Sequence, residues 1–296
     1  MVSSKSAIWT AFGASVRGAQ HRREGRPNQD AVAWSPQAPL PQAGEAVAAV
    51  AVADGHGHAS GLRAGKGARI AVETAVRLAA AGMPGITGPD GASGFLASLP
   101  DGIKAAWDEQ VRREASVDPF GEGELAGLPG GGGTGSRSAL LLEPGLAYGT
   151  TVILAAAVGE HLLLAQLGDG DVLLVEAGGA VARALTRDPY LVANQTWSLS
   201  SGDAARRFTT LLVPAASVEL VLVATDGYSN SFRDAAGFDQ TGSDMLEFLR
   251  RFGWPELTRK LPEWLASTTE EGSGDDVTVG LLAKDVTACA VTRSGR

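Results

Sequence analysis

The stretch AVAAVAVADGHGH, residues 46–58, is where the reading of this chain begins. Val47 to Ala53 is a short apolar run that stops at an acidic turn, the pattern of a buried strand carrying Asp54 to its end. Polar groups therefore stand where a rigid element meets solvent. From about Ala59 to Ala81, Ala, Leu, Ile and Val recur at helical spacing, with Gly82 and Pro84 as stop signals, which predicts a long helix. A second helical pattern runs from about Ala92 to Glu114, and Pro100 inside it predicts two pieces.

Residues 120–138, FGEGELAGLPGGGGTGSRS, are rich in glycine and read as a flexible surface insertion. The consecutive glycines there are not expected to follow a strand or lead into a helix, so a phosphate cradle is not expected. Apolar runs at 150–157, 161–167, 172–176 and 181–185 are separated by Gly-Glu, Gly-Asp-Gly-Asp and Gly-Gly, which predicts an antiparallel meander. Further strands are expected at 208–213, 218–224 and 277–283, and helices at 243–252 and 255–267. Helices grouped between runs of antiparallel strands favour an α+β layered architecture over a doubly wound parallel sheet.

Composition narrows the function classes. The 296 residues suit a sizeable buried core, and 44% of them are hydrophobic. A net charge of -8 without a sustained Lys/Arg block gives no footprint for nucleic acid or an anionic membrane. One cysteine, Cys289, excludes an intramolecular disulfide and a Cys-based zinc site. The opening residues lack the apolar core of a secretion signal, and no run approaches a membrane span. A soluble, unprocessed, cytoplasmic protein is the expectation.

Aspartates recur where apolar strands meet turns: Asp54, Asp169 in QLGDGD, Asp226 in VLVATDGYS, and Asp275 and Asp276 in GSGDDVTV. Asp30 in NQDAVAW precedes another strand-like segment. Any one Asp-Gly is an ordinary turn, but hard cations such as Mg²⁺ and Mn²⁺ seek oxygen ligands, and this set could form one acidic pocket. In order and context the motifs Gln29-Asp30, Asp54-Gly55-His56-Gly57, Gly149-Thr150-Thr151, Gly168-Asp169-Gly170, Thr225-Asp226-Gly227 and Asp275-Asp276-Val277-Thr278 resemble the type 2C (PPM) metal-dependent serine/threonine protein phosphatases of bacterial type, from about residue 10 to 285.

That resemblance implies two packed antiparallel β-sheets flanked by helices, an α-β-β-α sandwich, in a single catalytic domain spanning 1–296. It implies hydrolysis of phosphoserine and phosphothreonine by metal-activated water. Asp54 would bridge two Mn²⁺ or Mg²⁺ ions, with the Gly55 carbonyl as a further ligand. Asp226 and Asp275 would complete the first ion's shell, Gln29 and Asp30 would serve the second, and Asp169 would help hold a possible third. His56 would protonate the leaving oxygen, while His21, His58 and His161 receive no role. Partners would be a phosphoprotein substrate and an opposing serine/threonine kinase.

Three departures from the family pattern stand out. Gln29 replaces the usual Glu, which weakens the second site by one charge. The phosphate-gripping arginine has no counterpart at Gly25, so Arg26 and Arg23 are the candidates. The flap, residues 187–207, is short and predicts an open cleft suited to protein substrates. Two other readings remain open: a pseudophosphatase acting as a binding module, favoured by Gln29, and a small-molecule phosphomonoesterase.

Overall fold

The computed structural model describes residues 8–37, 47–56, 62–126, 128, 134–185 and 196–284. In chain order the elements are β1 (Trp9–Val16), α1 (Ala19–Glu24), β2 (Ala31–Ser35), β3 (Val47–Ala53), α2 (Ala64–Gly82), α3 (Gly88–Val117), α4 (Glu122–Ala126) and α5 (Thr134–Leu142). Then follow β4 (Val152–Val158), β5 (His161–Leu167), β6 (Asp171–Glu176), β7 (Val181–Arg183), β8 (Thr209–Pro214), β9 (Val218–Ala224), α6 (Asp226–Ser229), α7 (Ala235–Glu271) and β10 (Val277–Lys284).

The strands form two five-stranded sheets, ordered β1-β10-β9-β6-β7 and β2-β3-β4-β5-β8. Every neighbouring pair is antiparallel. The two-residue repeat of a strand assigns alternate side chains to opposite faces. In β3, Val50 and Val52 join Ile153, Leu164, Val221 and Val223 in the layer between the sheets. Ala49, Ala51 and Ala53 face the other way, against Ala68, Ala71 and Ala75 of α2. Small residues on both partners let that helix lie close to its sheet. On the far side α7 packs Leu246, Leu249, Leu257 and Leu261 onto Leu220, Leu222 and Leu281. The result is the expected α-β-β-α sandwich.

The structure corrects three expectations. The strands from 150 to 185 are not one meander: β4 and β5 pair in the second sheet, whereas β6 and β7 belong to the first. The chain changes sheets at Gly168-Asp169-Gly170, where Gly168 adopts φ 108°, a left-handed-side conformation open to glycine. Pro100 does not divide α3, which runs unbroken through it. A proline inside a helix costs about 3 kcal/mol, and burial of Leu96, Leu99, Ile103 and Trp107 on one face of α3 offsets it. The insertion expected to be flexible at 120–138 carries α4 and the start of α5 in its described part; Leu125 and Leu128 within it and Leu140 just beyond it are buried in the core, and α5 begins at Thr134, directly after the run of glycines in sequence. Those leucines are anchors that the glycine content obscured. Residues 127 and 129–133 lie outside the described residues.

The two C-terminal helices expected at 243–252 and 255–267 are the halves of α7, which kinks at Gly253 (φ 75°, ψ 175°). Among the described residues, no helix is long and apolar enough to cross a membrane.

Candidate metal centre

Antiparallel pairing brings the acidic turns to one end of the sandwich. Ala31 pairs with Ala53, so Asp30 at the start of β2 meets Asp54 at the end of β3. Val152 pairs with Leu167, which sets Thr151 beside the 168–170 turn. Ala224 pairs with both Val279 and Asp171, so Asp226 emerges beside the Asp275-Asp276 turn that begins β10.

Asp54 is held by its backbone. Its N–H donates to Thr151 Oγ1 at 2.9 Å, and its carbonyl accepts from Thr150 Oγ1 and Thr151 N–H, each at 2.9 Å. Gly55 N–H donates to the Gln29 carbonyl at 3.1 Å. A Cβ at Gly55 would collide with that carbonyl and with Ala64, so the close approach of the Gln29 loop requires glycine. Gly227 is required in the same way, by the carbonyl of Asp276.

The electrostatics are those of a crowded acidic cluster. Burial pushes the Asp54 carboxyl well above the usual carboxylate range, and the neighbouring charges of Asp30, Asp226, Asp275 and Asp169 add to the rise. Asp30 is pushed up to about 8, chiefly by burial, against the opposing hydrogen bonds from Thr225 and Thr278. Carboxylates that repel one another in a half-closed site are relieved by a bound cation. An all-oxygen set suits Mg²⁺ or Mn²⁺, so the residues present fit the implied ions.

The remaining candidates are placed as follows. Asp226 opens α6, and its Oδ2 accepts from Asn230 Nδ2 at 3.1 Å. Asp275 is exposed, and its Oδ1 accepts from Asp276 N–H at 2.9 Å. Asp169 Oδ1 accepts from Thr196 Oγ1 at 2.9 Å, which ties the described end of the flap to the 168–170 turn. Ser198 and Leu199 continue that attachment, since Thr150 N–H donates to Ser198 Oγ at 3.0 Å and Leu199 N–H to the Thr150 carbonyl at 2.9 Å. Flap residues 187–195 lie outside the described residues, as do Gly57 and His58. His56 is half-buried, with its carbonyl packed against Gly149. Arg26 is exposed and drawn to Glu24, with Nε at 2.6 Å from Oε2. Arg23 passes beside Gly274, next to Asp275.

Sequence reasoning missed the threonines that support the acids. Thr225 Oγ1 donates to Asp30 Oδ2 at 2.7 Å, and Thr278 N–H donates to Thr225 Oγ1 at 3.1 Å. Both threonines stood inside quoted motifs, so the signal was there without a role. His21 was also passed over: it is buried, with Nδ1 at 2.9 Å from Asp276 Oδ2.

The fold has solved counterparts. A bacterial serine phosphatase superposes with a TM-score of 0.57 at 15% identity, covering 94% of this chain and 98% of that one. The Mycobacterium tuberculosis serine/threonine phosphatase PstP gives 0.56 at 18% identity, covering 94% and 99%. The PstP catalytic domain in complex with two manganese ions gives 0.52 at 19% identity, with the same coverage. At these identities the likeness is one of fold. None of the curated proteins matches the chain in sequence. The family model described as protein phosphatase 2C matches residues 17–266, most of the chain and every acidic turn but the last. The chain belongs to the protein phosphatase 2C family, the metal-dependent serine/threonine protein phosphatases.

Proposed function

We propose that this chain, acting as a single catalytic domain, removes phosphate from phosphoserine and phosphothreonine in proteins. The observation that carries the reading is the placement of Asp54 among Asp30, Asp169, Asp226 and Asp275, with its carboxyl driven far above the usual range. Asp54, the Gly55 carbonyl, Asp226 and Asp275 would hold two Mn²⁺ or Mg²⁺ ions, and Asp169 a third. The two manganese ions of the mycobacterial phosphatase complex support that choice. When bound, such ions lower the pKa of coordinated water and neutralise phosphoryl charge.

The protein's own groups supply the rest. Gln29 would offer an amide oxygen to the second ion in place of a carboxylate. Asp30, held by the Thr225 hydroxyl, would be a further carboxylate for the second ion. His56, two residues beyond Asp54, would donate a proton to the departing serine or threonine oxygen. Arg23, beside the Asp275 turn, and Arg26 are the guanidinium groups that grip substrate phosphate. A phosphoprotein and the kinase that phosphorylates it would be the partners, in the cytoplasm.

The test is hydrolysis of a phosphothreonine peptide with chelator, Mg²⁺ and Mn²⁺ in parallel, with a phosphorylated metabolite as competitor. Metal-dependent release of phosphate from the peptide is the expected result. No release in either metal would overturn the reading in favour of a binding module, and preference for the metabolite would redirect it to a small-molecule phosphomonoesterase.

A further inference from the structure

Asp276 follows Asp275 in sequence but points the other way: its side chain is 3% exposed against 55% for Asp275. Its Oδ1 accepts from Gly18 N–H at 2.6 Å. Its Oδ2 accepts from Gln29 N–H at 2.7 Å and faces His21 Nδ1 at 2.9 Å. A carboxylate is complemented only by a donor, so Nδ1 carries the proton of that contact. His21, Asp275 and Asp276 offer ligand atoms within 4.8 Å of one another, yet both oxygens of Asp276 are already engaged in protein hydrogen bonds. The cluster therefore reads as a brace and not as a separate metal site.

The brace has two ends. On one, Asp275 Oδ1 accepts from Asp276 N–H at 2.9 Å and lies 3.5 Å from His21 Nε2. On the other, Gln29, whose N–H is held by Asp276, gives its carbonyl to Gly55 N–H at 3.1 Å. A hydrogen-bonded path thus runs from Asp275 through Asp276 and Gln29 to Gly55 and Asp54, from the proposed shell of the first ion to that of the second. His21 is itself fixed by α1, which closes at Gly25 (φ 71°), and by Arg17 Nη2 donating to the His21 carbonyl at 3.0 Å.

We infer that His21 is a positioning residue which, through Asp276, locks the loop bearing Gln29 and Asp30 to the turn bearing Asp275, so that the two cation shells assemble as one unit. The inference rests on the proposed metal chemistry and goes beyond it. The two segments come from opposite ends of the chain, 247 residues apart at the Gln29–Asp276 contact. Holding them in register before any ion arrives removes an ordering cost from binding, the effect of partners that orient metal ligands.

Calorimetric titration of the full chain with Mn²⁺, paired with pulsed EPR of the bound ion, tests this. His21→Asn places an amide donor where Nδ1 stood, whereas His21→Gln reaches the Nε2 position and leaves Asp276 without that donor. His21→Asn should bind Mn²⁺ as wild type does. His21→Gln should lose about tenfold or more in affinity, with the Mn²⁺ concentration for half-maximal activity rising in step and the KM for phosphopeptide at saturating Mn²⁺ unchanged. If His21→Gln does not fold, Asp276→Asn, whose single carbonyl oxygen cannot serve both Gly18 N–H on one side and the His21 and Gln29 donors on the other, carries the same expectation. Wild-type affinity in His21→Gln, or equal losses in the Asn and Gln variants, would overturn the inference. Nitrogen coupling to bound Mn²⁺ would also overturn it, by making His21 a ligand. Absence of Mn²⁺ binding in the wild type would instead remove the proposed metal chemistry itself, and the inference with it.

Discussion

Thr225 Oγ1 donates a 2.7 Å hydrogen bond to Asp30 Oδ2, joining residues 195 apart in sequence that leave different sheets. The same hydroxyl accepts Thr278 N–H, so one side chain ties the end of β9 to the beginnings of β2 and β10. Thr225→Val keeps the shape and removes both bonds, leaving a buried carboxylate short of a partner. Urea denaturation should show a loss of about 1–3 kcal/mol, and Mn²⁺ binding should weaken. Unchanged stability would mean the hydroxyl is replaceable by water.

Asp54 sits in the field of four other carboxylates, so its removal should separate stability from metal binding. Saturating Mn²⁺ should raise the melting temperature of the wild type by mass action, about 2.7 kcal/mol at a hundredfold excess over Kd. Asp54→Ala should match or exceed wild-type stability in chelator, gain nothing from Mn²⁺, and lose turnover by orders of magnitude. A Mn²⁺-dependent rise in the variant would contradict the assignment of Asp54 as the shared ligand.

At Asp169 the isosteric change to Asn retains an oxygen for Thr196 while removing the charge. Melting temperature and the two tightly bound Mn²⁺ should be preserved, and turnover on phosphopeptide at saturating Mn²⁺ should fall markedly. Full activity would leave Asp169 with a turn-stabilising role alone.

Away from the site, Arg63 anchors the segment after α3. Its Nε and Nη2 each donate to Glu124 at 2.8 Å, and Nη1 donates to Tyr148 Oη at 2.9 Å. Hydrogen bonding from Arg63 pulls the Glu124 carboxyl down to about 2 from an ordinary value of 4.5. A depressed acid contributes stability that is whole above its unfolded value and drains as pH falls through its folded one. The contribution should therefore be present at pH 6 and decline from about pH 4.5 toward 2. Because Glu124 is partly exposed, about 1 kcal/mol is expected. Glu124→Gln should be less stable than wild type at pH 6 by that amount, with the gap narrowing steadily as pH falls from about 4.5 toward 2 in denaturant titrations. A gap independent of pH would assign the effect to packing.

The positions of the acids were legible in the sequence because each is a local event: an apolar run ends, an aspartate follows, and glycine permits the turn. β3, β5 and β9 with Asp54, Asp169 and Asp226 beyond them could be marked from the pattern alone. Sheet membership could not. Strands such as β4, β5 and β6 are apolar on both faces, so their sequences carry no alternation to say which sheet each joins, and a short Gly-Asp-Gly link serves a hairpin or a crossover equally well. The unbroken course of α3 through Pro100 and the anchoring of 122–126 were likewise set by burial against distant residues, which overrides local propensity. His21 shows the limit most plainly. Nothing near it in sequence gives its ring a partner, and the contact exists only because β1 pairs with β10 and carries α1 to the Asp275-Asp276 turn, 255 residues away.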